Sequence, residues 1–228
     1  MKKILFIGDS SLLARKEVAH KNIYTTLLKN KLPQEYSIEI SGKTKNNSKE
    51  VFVNLESFML YGYTPDIVIL NYGIVDVFPR PYPHKLYKLL GCLGLLSMVD
   101  KILKKTKLYY KLGDLFNFKE VNINKFKIYN ENIIKKLLDE KDGRRVHKII
   151  IVGIIKPYRG LNKSKNIDRE IKLYNEVYKE LATQYEEVHY IDIYNDSTED
   201  YTIWDGYHYS GNASEYLANK IELCIKDD

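Results

Sequence analysis

Two short runs of β-branched and aliphatic residues most constrain what this chain can fold into. Asp66–Leu70 and Lys148–Val152 contain the unbroken apolar sequences IVIL and IIIV. A strand that is apolar at every position is covered on both faces, as in a parallel sheet packed between helices. Related patterns occur at Lys3–Ile7, Ser37–Ile40 and Val188–Ile193. The sequence therefore predicts a five-stranded parallel sheet.

Helical patterns separate the predicted strands. They cover, in chain order, His20–Lys31, Ser48–Tyr61, Asn122–Glu140, Asp168–Tyr185 and Gly211–Lys226, the last with Ser210 as its N-cap. Strands that alternate with helices form βαβ units with right-handed crossovers. We therefore predict an α/β fold, a flavodoxin-like three-layer α/β/α sandwich that occupies residues 1–228 as a single domain.

The segment Pro79–Asn122 interrupts this alternation. It holds a proline-rich turn, PRPYP, then an apolar stretch from Leu86 to Val99, then the basic sequence KILKKTKLYYKL. Because it is too long for a plain connection, we predict a helical insertion at about 80–121. The insertion would either pack as a lid over the sheet edge or make peripheral contact with a membrane through residues 86–112, where apolar and basic residues are interleaved.

Composition and charge exclude several classes of protein. No run approaches the roughly 20 apolar residues that span a bilayer, so stable membrane insertion is not expected. The apolar stretch Ile4–Ile7 is too short for a signal peptide, and two distant cysteines suit a reducing compartment, so we expect a cytoplasmic protein. A net charge of +6 without any nucleic-acid-binding motif indicates no nucleic-acid partner. We expect neither a cofactor nor a metal.

The first predicted strand ends in the tripeptide Gly8-Asp9-Ser10. Ligands of parallel sheets bind beyond the carboxyl ends of the strands, so Ser10 lies where chemistry is expected. Gly8 allows a sharp turn, and the helix that follows can direct backbone N–H groups at a developing oxyanion.

A second motif, Trp204-Asp205-Gly206-Tyr207-His208, precedes the last helix. Side chains three residues apart in such a loop can meet. The Asp205 carboxylate would then accept from one nitrogen of His208 and leave the other free to take a proton from a serine. The alternative is a capping aspartate beside a solvent-exposed histidine.

Together the two motifs resemble those of the SGNH/GDSL hydrolases. The resemblance implies a five-stranded parallel sheet between helices, with Ser10 as nucleophile, His208 as base and Asp205 as the residue that orients it. It covers the chain apart from the Pro79–Asn122 insertion.

The resemblance implies an oxyanion hole built from the N–H groups of Ser10 and of a glycine after the second strand. Gly42 is the best match, with Asn46 or Asn47 as alternatives, and Gly42 could instead simply serve a turn. Gly73 belongs to the next block of the hole.

That next block, Gly-x-Asn-Asp in the family, here ends in Val75 and Asp76. Valine thus replaces the asparagine donor, and losing one such donor typically costs roughly 10²–10³ in rate. Asn71, Arg80 or backbone N–H groups of the 73–76 loop could replace it.

Other polar and aromatic residues close to these motifs are candidate substrate contacts. The main set is Asp9, Asn71, Asp76, Arg80 and Tyr207. A second set borders the site in sequence, with packing or a solvated loop as the alternative role: Lys156, Tyr158, Arg159, Trp204 and Tyr209.

Two folds that bind nucleotides or phosphoryl groups fit the sequence less well. A dinucleotide-binding domain would need Gly-x-Gly-x-x-Gly, of which only Gly8 is present. A response-regulator receiver would leave the Asp205–His208 motif unexplained.

The resemblance leaves three functions open. The leading one is a serine esterase that removes O-acyl, above all O-acetyl, groups from a bacterial carbohydrate or polysaccharide precursor. The others are an acyltransferase that uses a sugar hydroxyl as acceptor, and a glycan-binding protein whose oxyanion hole has decayed at Val75.

Overall fold

The computed structural model describes residues 2–60, 64–140, 145–158 and 164–227. Its strands form one parallel sheet in the order β2-β1-β3-β4-β5. Their bounds are Lys2–Gly8 (β1), Tyr36–Gly42 (β2), Ile67–Asn71 (β3), Lys148–Val152 (β4) and Val188–Ile191 (β5). The predicted five-stranded parallel sheet is confirmed.

Alternating residues of β1, β3 and β4 build two separate cores. In β1, Leu5 and Ile7 belong to one apolar cluster, whereas Ile4 and Phe6 belong to the other. Since successive side chains of a strand point to opposite faces, the sheet is covered on both sides, which explains the unbroken apolar runs.

Helices cover both faces of the sheet. Their bounds are Tyr24–Lys31 (α1), Ser48–Leu60 (α2), Ile74–Val77 (α3), His84–Cys92 (α4), Leu96–Lys105 (α5), Leu108–Phe116 (α6), Ile123–Leu138 (α7), Ile167–Gln184 (α8), Ile193–Asp196 (α9) and Gly211–Lys226 (α10). Helices α2, α7 and α8 pack on one face, and α1 and α10 on the other. The three-layer α/β/α arrangement is thereby confirmed.

Local capping residues set several of the boundaries. Ser210 caps α10 as predicted, because its side chain accepts from the backbone N–H of Ala213 at 3.3 Å. The fifth strand is shorter than predicted because Asp192 leaves the strand and caps α9 through the N–H of Asn195. The predicted end of α2 at Tyr61 lies outside the described residues.

The helical insertion, residues 79–122, consists of α4, α5 and α6 with their connections. Its two ends are joined where the backbone N–H of Arg80 donates to the carbonyl of Phe118 at 2.7 Å. Gly113 lies so close to Pro79 that an added Cβ would sit 3.0 Å from its carbonyl oxygen. The two ends of the segment therefore meet at one place.

Within the described residues, every helix is too short or too polar to cross a lipid bilayer.

Candidate active site

Backbone contacts at the end of β1 place Ser10 at the carboxyl edge of the sheet. A Cβ on Gly8 would lie 2.2 Å from the carbonyl oxygen of Asn71, so only glycine fits there. The Asp9 carboxylate accepts from the N–H of Ser11 at 2.8 Å and closes the turn that begins a 3₁₀ helix, Ser10–Leu12. The hydroxyl of Ser10 is left half-buried and pointing out of the sheet edge.

A tight loop brings Asp205 and His208 to the same edge. The N–H of Ile203 donates to the carbonyl of His208 at 2.9 Å, which joins the two arms of the loop. Gly206 has a φ of +82°, a value that favours glycine, and this turn lets the side chains of residues 205 and 208 face each other.

Ser10, His208 and Asp205 form a continuous hydrogen-bonded chain. Ser10 Oγ lies 2.8 Å from His208 Nε2, and His208 Nδ1 lies 2.6 Å from Asp205 Oδ2. With the Nδ1 proton donated to the carboxylate, Nε2 has a lone pair that accepts from the serine hydroxyl. The arrangement can activate a weak nucleophile.

The Asp205 carboxylate is held in its ionised form. Burial by itself would raise its pKa, but hydrogen bonds from the His208 ring and from the backbone N–H groups of Tyr207 and His208 outweigh burial and lower the pKa to about 2. Asp205 therefore remains an acceptor for His208 at any physiological pH.

No protein-family model matches the chain, and no curated protein sequence matches it significantly. Solved structures do match over nearly the whole length. One is a lipase/acylhydrolase from Enterococcus faecalis, with 17% identity, coverage of 99% of this chain and 96% of that one, and a TM-score of 0.65. A second is the acetyl xylan esterase AlAXEase, with 18% identity, coverage of 98% and 99%, and a TM-score of 0.65.

A third match is a member of the lipolytic protein G-D-S-L family from Veillonella parvula, with 12% identity, coverage of 99% and 100%, and a TM-score of 0.63. The chain has the SGNH hydrolase fold. At these identities the likeness shows the fold alone.

The two glycines that the SGNH resemblance assigns to the oxyanion hole lie at the carboxyl edge of the sheet. Gly42 is paired with Gly8 in the parallel ladder and packs against the side chain of Leu12. Gly73 has a φ of +124° and precedes α3, and a Cβ there would lie 2.7 Å from Ile154. Their roles as donors remain predictions.

The alternatives to Gly42, Asn46 and Asn47, are buried and each makes a hydrogen bond within the scaffold, so their role as oxyanion donors stays a prediction. Asn46 Nδ2 donates to the carbonyl of Gly8 at 3.0 Å, and Asn47 Oδ1 accepts from the N–H of Glu50 at the start of α2. These asparagines hold the loop after β2 in place.

A cleft of about 410 Å³ opens beside Ser10 and His208. Val75 lies in its wall, so an apolar side chain occupies the place where the family has an amide donor. The helical insertion forms the opposite wall. Five aromatic side chains contribute to the lining: Phe78, Tyr87, Tyr109, Tyr110 and Tyr207.

Three of the predicted substrate contacts are buried and serve the scaffold instead. Asp9 bonds Ser11 as described, and Asn71 Nδ2 donates to the hydroxyl of Tyr209 at 2.9 Å. Asp76 accepts from the backbone N–H and the hydroxyl of Ser48, at 3.0 and 2.6 Å. Burial, partly offset by these bonds, raises the pKa of Asp76 to about 7.

Arg80 and Tyr207, in contrast, both line the cleft. Arg80 is ion-paired with Glu120 at 2.9 Å and lies over the ring of Tyr87, so its charge is largely compensated. Tyr207 packs edge-to-face on Phe78 with ring centroids 5.4 Å apart.

Of the described residues after β4, Lys156 and Tyr158 were expected to border the cleft, but neither lines it. The hydroxyl of Tyr158 donates to the carbonyl of Ser197 at 2.5 Å, and Lys156 lies over the rings of Tyr158 and Tyr194. Arg159 lies outside the described residues.

The two remaining aromatic candidates are scaffold residues. Tyr209, the last residue of the catalytic loop (residues 202–209), is buried, and its hydroxyl accepts the hydrogen bond from Asn71. Trp204 is exposed, and its indole N–H donates to Glu17 at 2.7 Å. This bond connects the catalytic loop to the segment that follows Ser10.

The guanidinium of Arg15, a residue outside the predicted site, contacts His208 Nε2, the same atom that faces Ser10. Arg15 and Val18 exchange backbone hydrogen bonds in a tight turn, and Val18 forms a small apolar cluster with Ile203. No local pattern marks this residue, because only the path of the 13–22 segment brings it to the site.

Proposed function

We propose that the protein is a serine esterase that hydrolyses O-acyl esters, with O-acetyl groups on carbohydrates as the substrate class. The observation that supports this most is the 2.8 Å approach of Ser10 Oγ to His208 Nε2, with Asp205 bonded to the other ring nitrogen. The chain of contacts ends at the mouth of an open cleft rather than in the interior.

In this proposal Ser10 Oγ attacks the ester carbonyl while its proton moves to His208 Nε2. The imidazolium that forms keeps its bond to the ionised Asp205 carboxylate, which stabilises the new charge. The same proton is then given to the leaving alcohol, and an acyl group remains on Ser10.

Water enters in the second half of the reaction. His208 takes a proton from that water, the resulting hydroxide attacks the acyl-enzyme, and the Ser10 hydroxyl is restored as the acid leaves.

Charge on the carbonyl oxygen must be stabilised without the asparagine that Val75 replaces. Asn71 is bonded to Tyr209 and Arg80 to Glu120, so both proposed substitutes already have partners. Arg15 is better placed. Once Nε2 takes the serine proton it becomes a cationic donor, and the guanidinium loses its acceptor there. An oxyanion formed on the carbonyl that Ser10 attacks would offer the guanidinium a new acceptor.

Two observations favour a carbohydrate ester. Aromatic rings line the cleft, and such rings offer flat apolar faces to sugar rings. The matched structures include an acetyl xylan esterase and a carbohydrate acetylesterase family member from Sinorhizobium meliloti. The cleft volume of about 410 Å³ lies in the range of small-molecule sites.

Labelling with a fluorophosphonate probe, followed by peptide mass spectrometry, tests the proposal. We expect one adduct, on Ser10, together with release of acetate from acetylated xylo-oligosaccharides. Absence of an adduct on the folded protein, with sugar binding intact, would favour a glycan-binding protein instead. An adduct with acetyl transfer to an added sugar, rather than to water, would favour an acyltransferase.

A further inference from the structure

Large apolar side chains are concentrated on the outside of the helical insertion. Residues 84–116 carry nine of the fifteen large apolar side chains that are exposed in the described part of the chain. On a monomer an apolar surface of this kind marks a site of interaction, whereas single exposed side chains need no explanation.

These side chains form stripes along the helices. Leu86, Leu89 and Leu93 are spaced by three and four residues, so they share one side of α4. Met98 and Ile102 have the same relation on α5. Leu108, Leu115 and Phe116 are exposed on α6. We call this set the outer apolar face.

The opposite side of the same helices faces the protein. Tyr87 of α4, Asp100 of α5 and Tyr110 of α6 line the active-site cleft. Packing against the rest of the molecule therefore accounts for one side of the insertion only, and the outer apolar face remains open to another surface.

Charge indicates what that surface is. Residues 84–116 contain seven lysines and two aspartates, a net charge of +5 out of +6 for the whole chain. Both aspartates are engaged within the molecule: Asp100 accepts from Tyr82, and Asp114 accepts from the backbone N–H of Lys165 at 2.8 Å. The partner must be apolar and negatively charged.

We propose that the outer apolar face docks on the surface of an anionic phospholipid bilayer. Leucine, methionine and phenylalanine side chains enter the acyl boundary, and the surrounding lysines contact the phosphate groups. A second copy of this chain is a poorer occupant, because two insertions, each with a net charge of +5 over residues 84–116, would repel each other. This docking is independent of the ester chemistry proposed above, although it would bring a membrane close to the cleft.

Co-sedimentation with sonicated vesicles tests the proposal. At low salt the full chain should bind vesicles of phosphatidylcholine that contain about 30 mol% phosphatidylglycerol. Binding should fall at least about tenfold on vesicles of phosphatidylcholine alone, or at high salt.

The exposed helices supply a matched pair of apolar variants. Leu89 and Ile102 of the outer apolar face are 56% and 54% exposed, and Leu223 of α10 and Ile128 of α7 are 57% and 54% exposed. The double substitution Leu89→Asn with Ile102→Asn should lower vesicle binding about tenfold or more, whereas Leu223→Asn with Ile128→Asn should leave it within about twofold.

A second, charge-based variant covers the case in which the apolar variant fails to fold. Lys101 and Lys105 are exposed, so Lys101→Glu with Lys105→Glu should abolish binding to anionic vesicles and leave the thermal transition unchanged. The control is Lys21→Glu with Lys29→Glu, which should leave binding unchanged. Lys21 is exposed before α1, and Lys29 is exposed within it.

Three results would overturn the proposal. The first is that the unmodified chain does not bind anionic vesicles at low salt, and the second is that the test and control variants lose equal amounts of binding. The third is that light scattering shows a dimer, that Leu89→Asn with Ile102→Asn converts it to a monomer, and that parent and variant have the same low affinity for vesicles.

Discussion

The two walls of the cleft are built in different ways. One wall consists of the nucleophile turn, residues 8–12, and the catalytic loop, residues 202–209, and we call these the triad loops. The other wall is the helical insertion. The triad loops are held by buried bonds to the sheet, such as Asn71 to Tyr209 and the close approach of Gly8 to Asn71. The two ends of the insertion are joined to each other by the Arg80–Phe118 hydrogen bond, and its outer apolar face is exposed.

This difference suggests a division of labour. Groups that exchange a proton must keep their distances to a fraction of an ångström, and burial with short-range bonds provides that precision. Groups that recognise a substrate or a surface need area and chemical variety, which a set of amphipathic helices provides. Changes in the triad loops should therefore alter kcat, and changes in the insertion should alter KM or binding.

The largest expected effect is on the nucleophile. Ser10→Ala should lower kcat on p-nitrophenyl acetate about 10⁴-fold or more, since no other group can form the acyl-enzyme. Ser97→Ala, at an exposed site on α5 of the insertion, should leave kcat unchanged. His208→Ala combined with Ser10→Ala should cost little beyond either change alone, because the residues act as a unit. Independent, multiplicative losses would contradict the mechanism.

Arg15 should have the next largest effect. If its guanidinium stabilises the oxyanion in place of the asparagine lost at Val75, Arg15→Ala lowers kcat about 10²-fold with little change in KM. Arg80→Ala should cost far less, because Arg80 is paired with Glu120. The exposed neighbour Lys16→Ala serves as the control.

The opposite outcome for Arg15 is equally informative. Arg15 and Ser10 both face the single lone pair of His208 Nε2. A faster Arg15→Ala enzyme would mean that the guanidinium competes with the nucleophile and does not assist it.

A smaller effect is expected in the insertion. Tyr110 lines the cleft and packs edge-to-face on Phe78, with centroids 6.4 Å apart. Tyr110→Ala should raise KM for an acetylated sugar about fivefold, with kcat nearly unchanged, since about 1 kcal/mol of aromatic contact is lost. Tyr36→Ala, at the start of β2 and away from the cleft, should leave KM unchanged. A fall in kcat of Tyr110→Ala with no change in KM would contradict the proposed division of labour.

The smallest effect concerns stability and pH. The folded-state pKa of Asp205 is about 2, below its ordinary value of 3.8, so its contribution to stability is present above pH 4 and is lost as the pH falls towards 2. Because Asp205 is partly exposed, we expect a contribution of about 1 kcal/mol. The thermal unfolding temperature of Asp205→Asn should be lower than that of the wild type at pH 5, and the two temperatures should converge near pH 2. Parallel curves would contradict the pKa.

Much of the sheet and of the triad loops could be predicted from the sequence, because their signals are local. The unbroken apolar runs of β3 and β4 report burial on both faces, whatever the rest of the chain does. Gly8-Asp9-Ser10 and Asp205–His208 are short segments in which the spacing itself places the side chains. Asp192 shows the limit of such patterns: its side chain starts a helix where apolar residues continue the strand pattern.

What only the tertiary structure decided are contacts between residues far apart in sequence. Arg15 reaches His208, and Asp76 turns to Ser48 rather than to a substrate, because whole elements pack and carry these side chains with them. The sequence determined that residues 84–116 are amphipathic, but it could not say which side faces in. A helix with tyrosines on one side and leucines on the other can bury either, and the packing on the cleft decided that the tyrosines line the site and the leucines face out.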